Sequence, residues 1–359
     1  MKIAIGLNHN AITDWPATVT FAQEAERAGV DSLWTAEAWS HDAATPIAYL
    51  MAKTERLRFG SGIFQIGTRT PALIGMTAQS LDQMSGGRFM LGLGTSGPQV
   101  IEGWHGLPFR KPLQHTREVI EIVRRVMNGE TVAYDGEFYQ LPLDAEHGGT
   151  GEGKALRSGA PITPNLPIYV ASLGPANLRL TGALADGWLG GSFIPEYADL
   201  FLDEIRAGAK AAGRDFSEID IGVGGTVVFT DDPEQAAAQL KPGLAFSLGA
   251  MGSKQHNFYN AAYSRQGWAD EAKEIQRLWL SGQRDEARKR VPTELVLATH
   301  LIGDRQAVKD RLRVYRDAGV TTFRAGAHGD LRAKIDTLAQ LAEVMEEVKA
   351  EAAAPARGA

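Results

Sequence analysis

The feature that most constrains the fold is a regular alternation of short apolar runs with amphipathic stretches along most of the 359 residues. The runs have the length of buried strands, and the stretches between them carry apolar residues at helical spacing. Eight strands are predicted, at Ile3–Leu7, Ser32–Glu37, Leu57–Ile66, Phe89–Thr95, Ile168–Leu173, Gly187–Phe193, Ile219–Phe229 and Val320–Ala325. Eight such units favour an α/β fold, a closed (β/α)8 TIM barrel, with an open doubly wound sheet as the alternative.

Helix boundaries are marked most clearly near the two ends of the chain. Asp14 precedes an amphipathic stretch with Pro16 in its first turn, where proline is favoured. Gly29 and Gly319 each follow a helical stretch and precede a strand, where glycine can take the left-handed conformation that ends a helix. Asp330 is predicted to cap the last helix, whose apolar residues recur at three- and four-residue steps: Leu331, Ile335, Leu338, Leu341, Met345 and Val348.

Two segments interrupt the alternation. Residues 129–166 contain the hairpin-like sequence TVAYDGEFYQL and then a glycine-rich stretch, and residues 241–298 contain GSKQHNFYNAAYSRQGW followed by helical sequence. We predict that both are insertions on one barrel domain that spans residues 1–350. Residues 351–359 have few groups to bury and are predicted to form a flexible tail.

Composition excludes several classes of function. The formal net charge of -6 predicts no basic face, so nucleic acid is not an expected partner. The absence of cysteine excludes disulfides, thiolate metal sites and a thiolate nucleophile, and the eight histidines show no metal-binding spacing. No apolar run is long enough for a transmembrane helix, and the N-terminal run is too short for a signal peptide. We therefore expect a cytoplasmic protein without a metal or membrane partner.

The stretch His147–Ala155, HGGTGEGKA, differs by one residue from a phosphate-binding P-loop. A P-loop needs a buried strand before it and a helix after it, so that backbone N–H groups face the phosphates. Here PLDAEH precedes the glycines, glycine and proline follow Lys154, and Ala155 lacks the hydroxyl that holds Mg²⁺. We predict a loop that does not bind nucleotides and that could fold over the mouth of the barrel.

A more suitable phosphate site lies in IYVASLGPANLRL. A predicted strand leads into a tight turn of Ser172, Leu173 and Gly174, and Pro175 suits the first turn of the next helix. Glycine lets the backbone approach a ligand closely, and a helix N-terminus favours an anion. The alternative is an ordinary loop between a strand and a helix.

A second candidate loop follows the strand in GRFMLGLGTSGPQVIEGWHG. The G-x-G pattern predicts room for a flat ligand above the barrel, and Thr95 and Ser96 offer hydroxyl groups beside it. Glu102 and His105 are further polar groups of this loop. The alternative is that the segment forms only a turn and the start of a helix.

Glu37 and His9 lie at the carboxyl ends of the second and first predicted strands. Active sites of β/α barrels lie at this end of the strands, so both residues are candidate catalytic groups. The carboxylate could instead form a structural ion pair, and a lone histidine is more often structural than catalytic.

Four segments together resemble the bacterial-luciferase-like superfamily: GRFMLGLGTSGPQVIEGWHG, SGIFQIGTRTP, YVASLGPANLRLTGALADGW and DAGVTT. They are most similar to the branch that uses the deazaflavin coenzyme F420, and the resemblance covers residues 2–348. It implies a TIM barrel and a homodimer. It also implies an oxidoreductase in which the deazaflavin exchanges a hydride with a small-molecule substrate, while the protein supplies position and proton transfer.

The resemblance also implies roles for individual residues. Glu37 matches an acidic residue near the ring, Gly62–Ile63 matches a non-prolyl cis peptide behind it, and Gln65 matches a contact at the ring edge. The remaining matches are the loop beside the ring and the phosphate turn, at Thr95, Ser96, Leu173, Gly174 and Ala176.

One departure from the family pattern bears on the reaction. Alcohol and sugar-phosphate dehydrogenases of this branch have an Asp-His pair after the second strand, whereas residues 37–38 are Glu-Ala here and His41 lies three positions on. This favours a reductase that acts on an imine-like or activated double bond, or an enzyme whose acid comes from His9, Glu102 or His105. The alternatives are an FMN-dependent monooxygenase of the same fold and a non-catalytic flavin-binding protein.

Overall fold

A closed barrel of eight parallel strands forms the centre of the computed structural model, which describes residues 1–7, 12, 14–252 and 257–353. Pairing of the first strand with the last, and of the sixth with the seventh, closes the ring. This confirms the barrel rather than the open sheet. With all strands numbered along the chain, those of the barrel are β1 (Lys2–Leu7), β2 (Ser32–Thr35), β3 (Arg58–Ser61), β5 (Phe89–Gly94), β8 (Ile168–Val170), β9 (Gly187–Leu189), β10 (Asp220–Phe229) and β12 (Thr322–Gly326).

Helices cover the outside of the barrel in the expected alternation. They are α1 (Trp15–Arg27), α2 (Ala44–Met51), α3 (Pro71–Ser85), the short α4 (Pro98–Ile101), α5 (Pro112–Met127), α6 (Pro175–Leu184), α7 (Asp199–Ala211), α13 (Arg305–Asp317) and α14 (Leu331–Ala353). Asp14 and Asp330 each accept a hydrogen bond of 2.9 Å from the first turn of α1 and α14. Gly29 (φ +84°) and Gly319 (φ +92°) have left-handed backbone, as predicted.

Alternate residues of a strand face opposite sides of the barrel wall. Ile3 and Ile5 face outward into the large apolar core beneath the helices, which we call the barrel core. The interior is filled by a separate small cluster, made of Ala4, Trp34, Met90, Tyr169 and Leu189. Toward the amino ends of the strands, the Tyr169 hydroxyl donates to Asp220 at 2.9 Å. The carboxyl ends therefore form the candidate mouth of the barrel.

The third predicted strand is broken in two. One run over Leu57–Ile66 is predicted, but β3 ends at Ser61 and a two-residue strand, β4 (Phe64–Gln65), follows it. The peptide bond between Gly62 and Ile63 is cis, as the resemblance implied. β4 pairs with β5, so the chain leaves the line of β3 but stays attached to the barrel wall. We call residues 62–65 the bulge.

The first insertion contains the predicted hairpin, made of β6 (Tyr134–Asp135) and β7 (Gln140–Leu141). The carboxylate of Glu118, on α5, is completely buried beneath it. It accepts the backbone N–H groups of residues 137, 138 and 139 at 2.8, 2.9 and 3.1 Å. One side chain of the barrel thus holds the hairpin turn.

The second insertion is helical and has a core of its own, which we call the insertion core. Its predicted start at residue 241 falls inside α8, which continues through Pro242 because Leu244 and Leu248 beyond the proline pack into this core. A further short strand, β11 (Leu301–Gly303), pairs with the outer end of β10 and was not predicted. The helices are α8 (Pro233–Gly249), α9 (Phe258–Tyr263), α10 (Ala269–Leu280), α11 (Arg284–Arg290) and α12 (Thr293–Thr299). A kink at Gln266 and Gly267, whose backbone is not helical, separates α9 from α10.

Candidate active site

Most of the predicted site residues lie on one arc of the mouth. Glu37 follows β2, the bulge follows β3, Thr95 follows β5, and the turn at residues 172–174 follows β8. These four strands are consecutive neighbours in the barrel, so their carboxyl ends are adjacent. His9, the predicted catalytic residue after β1, lies outside the described residues.

Both carboxylate oxygens of Glu37 are engaged by the protein. Arg69 donates to them from Nε at 3.0 Å and from Nη2 at 2.7 Å, and the N–H of Ala43 donates at 3.1 Å. The side chains of Glu37 and Arg69 are only 10% and 17% exposed, and the hydrogen bond to Glu37 is the main cause of the raised pKa of Arg69. This geometry ties the end of β2 to the segment after β4, and it favours an ion-pair role for Glu37 over proton transfer.

Gln65 also contacts the segment after β2, and its side chain is completely buried. Its Nε2 donates to the main-chain oxygen of Glu37 at 2.8 Å, whereas its Oε1 has no hydrogen-bond partner within the described residues. An unsatisfied buried oxygen costs roughly 1–3 kcal/mol. A donor from outside the protein would recover this free energy, and the assignment of Gln65 to a ring edge stays a prediction.

The glycines of β5 make room for the bulge, and the expectation that they also make room for a flat ligand stays a prediction. A Cβ on Gly92 would lie 1.9 Å from the main-chain oxygen of Ser61, and one on Gly94 would lie 2.7 Å from Cδ1 of Ile63. The Ser61 hydroxyl also joins the main chain of Gly92 through bonds of 2.8 and 2.9 Å. Close packing of β3 and the bulge holds Ile63 against the barrel interior, where it forms part of the mouth.

The loop after β5 separates the predicted cofactor contacts from the predicted acids. Ser96 has a left-handed φ of 56°, which is uncommon for serine, and its main-chain oxygen accepts the Thr95 hydroxyl at 3.1 Å. Glu102 and His105 are exposed further along, and Glu102 accepts the N–H of Phe109 at 3.2 Å. No contact between described residues joins Glu102 or His105 to Glu37, so the structure does not gather these three side chains at one point.

The predicted phosphate turn leaves space for a ligand. Gly174 precedes α6 in an extended conformation, and a Cβ there would meet no atom within 4 Å. The fold itself therefore does not require glycine at this position, whereas a ligand bound at the N-terminus of α6 would. The Ser172 hydroxyl is buried against the Thr181 hydroxyl at 2.8 Å, so it supports the turn from below, while Ala176 is exposed in the first turn of α6.

Arg265, which was not predicted as a site residue, reaches the phosphate turn from the second insertion. Its Nη2 donates to the main-chain oxygen of Leu173 at 2.6 Å, and its guanidinium lies 5.8 Å from the ring of Phe201. A cation beside a helix N-terminus adds to the attraction for an anion. The arginine is visible in AYSRQGW, but nothing in the sequence indicates that residue 265 returns to residue 173.

The P-loop-like stretch has no helix after it. Residues 142–167 form no helix or strand, so no helix N-terminus presents backbone N–H groups after Lys154, as expected. In the part of the chain that the structure describes, no group of three histidine or acidic side chains could hold a metal ion. No helix within that part is long and apolar enough to cross a membrane.

The comparison that decides the family is a family model for luciferase-like monooxygenases, which matches residues 2–322. The chain belongs to the luciferase-like family. The barrel and the cis peptide of the bulge therefore belong to a luciferase-like protein, which confirms the resemblance seen in the sequence.

Relatives of this luciferase-like protein include enzymes named for coenzyme F420. A Mycobacterium tuberculosis protein named as a coenzyme F420-dependent oxidoreductase is 43% identical over 304 residues, which cover 83% of this chain and 86% of the relative. A 5,10-methylenetetrahydromethanopterin reductase of Methanolobus tindarius is 28% identical over 313 residues, or 86% and 89% of the two chains. The solved coenzyme F420-dependent tetrahydromethanopterin reductase of Methanopyrus kandleri has the same fold, with a TM-score of 0.77 at 24% identity over 97% and 99% of the chains.

Proposed function

We propose that this protein is a coenzyme F420-dependent oxidoreductase that transfers a hydride between the deazaflavin and a small organic substrate, and that it acts as a reductase. The observation that carries the proposal is the 43% identity with an oxidoreductase named for this coenzyme over 304 residues. The departure at residues 37–38 supports the reductase, because the Asp-His pair of the alcohol dehydrogenases is replaced by Glu-Ala.

The residues at the mouth fit a deazaflavin. Ile63 offers an apolar surface to a flat ring. Hydrogen bonds from Gln65 to Glu37 tie the bulge to the ion pair of Glu37 with Arg69. Gly174 has open space where a side chain would project, and Arg265 lies beside the same turn. We assign the ring to the bulge and to the loop of Thr95 and Ser96, and the phosphate to the turn at residues 173–176. When bound, the coenzyme supplies the hydride.

The protein must also move a proton. His9, Glu102 and His105 stay the candidates for this role, since Glu37 is held in its ion pair by Arg69. We assign Glu37 to positioning of the bulge, with any contact to the ring as a secondary role. Under this assignment Glu37 helps to form the coenzyme site, and a different residue exchanges protons with the substrate.

Parallel titrations with F420 and with FMN test the proposal. We expect one F420 to bind per chain, with FMN at least about tenfold weaker, and the absorption spectrum and mass of any copurified cofactor provide a second readout. Tighter binding of FMN would favour the monooxygenase alternative. Binding of F420 without hydride exchange toward any electron-poor alkene or imine would favour a non-catalytic deazaflavin-binding protein.

We also propose a homodimer, supported by an apolar face on α3. Leu73, Met76 and Met84 are 46%, 54% and 69% exposed on one side of this helix. Exposed apolar patches of this kind mark association surfaces. Light scattering should give about twice the chain mass of 38.7 kDa, and a monomer at micromolar concentration would contradict the assignment.

A further inference from the structure

Arg324 lies inside the mouth on the arc that the proposed cofactor site does not use. It is the middle residue of β12, and its neighbours Phe323 and Ala325 pack outward into the barrel core, so its side chain faces the interior. Its Nη2 donates to the main-chain oxygen of Gly190 at 3.1 Å. Because Gly190 immediately follows β9, the guanidinium reaches the carboxyl edge of the barrel, where ligands of this fold bind.

In the part of the chain that the structure describes, no acidic side chain pairs with the charge of Arg324. A guanidinium has five N–H donors, yet within the described residues Arg324 makes the single bond to Gly190 and no ion pair. Burial lowers its pKa. Arg324 is half-buried, and a charge withdrawn from water without a partner is costly, so a purely structural role would be served better by a neutral side chain.

The neighbouring strands place only small residues in register with Arg324, namely Ala4 of β1 and Gly224 of β10. A Cβ on Gly224 would lie 2.8 Å from the main-chain oxygen of Arg324 and 3.4 Å from its Nε, so β10 packs closely against this residue. Closer to the mouth, a Cβ on Gly6 or Gly191 would meet nothing within 4 Å. The space next to the guanidinium is therefore open toward the carboxyl ends of the strands.

Tyr259 is a second polar group that interacts with Arg324. It lies on α9 of the second insertion, and the positive charge of Arg324 acts to lower its pKa. Burial raises the pKa of Tyr259 by more than the charge of Arg324 lowers it, so the hydroxyl keeps its proton and can donate. Among the described residues no acceptor receives it.

We propose that Arg324, with Tyr259 as a second hydrogen-bond donor, binds a carboxylate of the substrate. The substrate of this enzyme is then an organic anion that carries a carboxylate beside the group that is reduced, rather than a neutral compound. A guanidinium binds a carboxylate through two parallel hydrogen bonds, and the planar geometry suits a carboxylate better than a point anion. The carboxylate would supply the missing counter-ion and would hold the rest of the substrate toward the bulge. The reduction step rests on the proposed function, whereas carboxylate binding does not need the coenzyme.

Benzoate and its neutral isostere benzamide are suitable probes, and calorimetric titration of the full chain with and without F420 measures their affinities. We expect benzoate to bind at least about tenfold more tightly than benzamide. Arg324→Met should abolish this preference and Tyr259→Phe should reduce it. Arg332→Met, which removes an arginine whose side chain is 91% exposed, should leave it unchanged.

Stability provides an independent readout. Arg324→Met removes an uncompensated charge and should keep or raise the unfolding midpoint, so that loss of benzoate binding reports on the site rather than on folding. If this variant does not fold, the benzoate preference in Arg324→Lys and Tyr259→Phe decides, and an unchanged preference in both overturns the proposal. Equal affinity of the parent for both probes overturns it as well.

The F420 affinity of the Arg324→Met variant provides a third test. If Arg324→Met lowers F420 affinity more than about tenfold and leaves the benzoate preference intact, the arginine serves the coenzyme and the proposal is wrong. Failure of F420 to bind the parent would instead remove the proposed function, and the comparison of benzoate with benzamide would still stand.

Discussion

Glu37 could act either as a catalytic group or as the acidic partner of a structural ion pair. Its position after a barrel strand predicts a catalytic group, but the structure engages both oxygens with Arg69 and the N–H of Ala43. Glu37→Gln removes the charge and leaves Arg69 with only the longer ion pair to Asp42, at 3.9 Å. We expect the free energy of unfolding to fall by about 2 kcal/mol, with F420 affinity reduced because the bulge loosens. Turnover at saturating F420 should fall by less than the roughly 10²-fold expected for loss of a general acid.

Two comparisons isolate the ion pair of Glu37. The double variant Glu37→Gln with Arg69→Met should recover part of the stability, since no uncompensated charge is left. The exposed pair of Glu274 and Arg277 has the same two-bond geometry, at 2.8 Å for each bond, so Glu274→Gln is a matched control with little expected effect. Loss of turnover without loss of stability in Glu37→Gln would show that Glu37 is the acid after all.

A substitution of Gly174 should impair ligand binding without impairing the fold. Its φ of -80° and ψ of 147° suit any residue, and a Cβ would enter open space. Gly174→Val should therefore unfold at a temperature close to that of the parent. Its F420 affinity should fall by about 10- to 100-fold, because a charge-assisted hydrogen bond is worth roughly 1.5–3 kcal/mol. Gly159→Val, at another open position, is the control, and unchanged affinity in Gly174→Val would place the phosphate elsewhere.

At the scale of an element, the first insertion depends on Glu118. Its carboxylate accepts three backbone N–H groups of residues 137–139 and the amide of Gln114 at 2.9 Å. Glu118→Gln keeps the size but replaces one acceptor oxygen by a donor. We expect a loss of about 1–3 kcal/mol and faster hydrogen exchange at residues 137–139. Glu121→Gln should have a smaller effect, because Glu121 accepts only the hydroxyl of Tyr134, at 2.7 Å, among the hydrogen bonds described.

The same hairpin should respond to acid. Burial alone would raise the pKa of Glu118, but the hydrogen bonds from Gln114 and from the backbone hold it below the usual value for glutamate. Such a group stabilises the fold above its unfolded pKa, and this contribution is lost as the pH falls through the folded pKa. Protection of residues 137–139, corrected for intrinsic exchange, should therefore decline below about pH 4. Glu118→Gln should remove this decline, and a hairpin equally protected in acid would contradict the assignment.

Elements were predictable where one local pattern decides them. Strand periodicity located all eight barrel strands, and glycine and aspartate located the helix ends, because these signals depend on neighbouring residues. The break at residues 62–63 was not visible as a pattern, since apolar residues continue through it and only the resemblance indicated the cis peptide. The path of α8 through Pro242 was also missed, because packing of Leu244 and Leu248 outweighs a local breaker.

Across the complete fold, the barrel could be predicted from the sequence, but the contacts between distant segments could not. The contacts of Arg69 with Glu37, of Arg265 with Leu173 and of Arg324 with Gly190 each join elements that no periodicity relates. The candidate site was therefore predicted as a set of strand ends, which the topology of a barrel brings together. Only the structure shows which of these side chains already have hydrogen-bond partners within the protein and which have donors left for a ligand.

The barrel core and the insertion core meet at the loop after β9, where Phe193 packs into the first and Ile194 into the second. The buried side chain of Gln266 fastens this loop: it accepts the N–H of Ile194 at 2.8 Å and donates to the main-chain oxygen of Ser192 at 2.6 Å. Gln266→Ala leaves both groups without a partner, at a cost of roughly 1–3 kcal/mol each. If the chain is one domain, as predicted, the parent should unfold in a single calorimetric transition.

The Gln266→Ala variant should lower the local stability of the insertion core and leave that of the barrel core unchanged. We expect hydrogen exchange in α10 and α12 to accelerate while the strands of the barrel stay protected, because the variant removes the joint and leaves each core intact. Gln283→Ala is the control, since Gln283 is exposed and bonds only within its own turn. Equal acceleration in the barrel and in the insertion would mean that the two cores are joined mainly by other contacts, and that the position of the proposed substrate subsite does not depend on this loop.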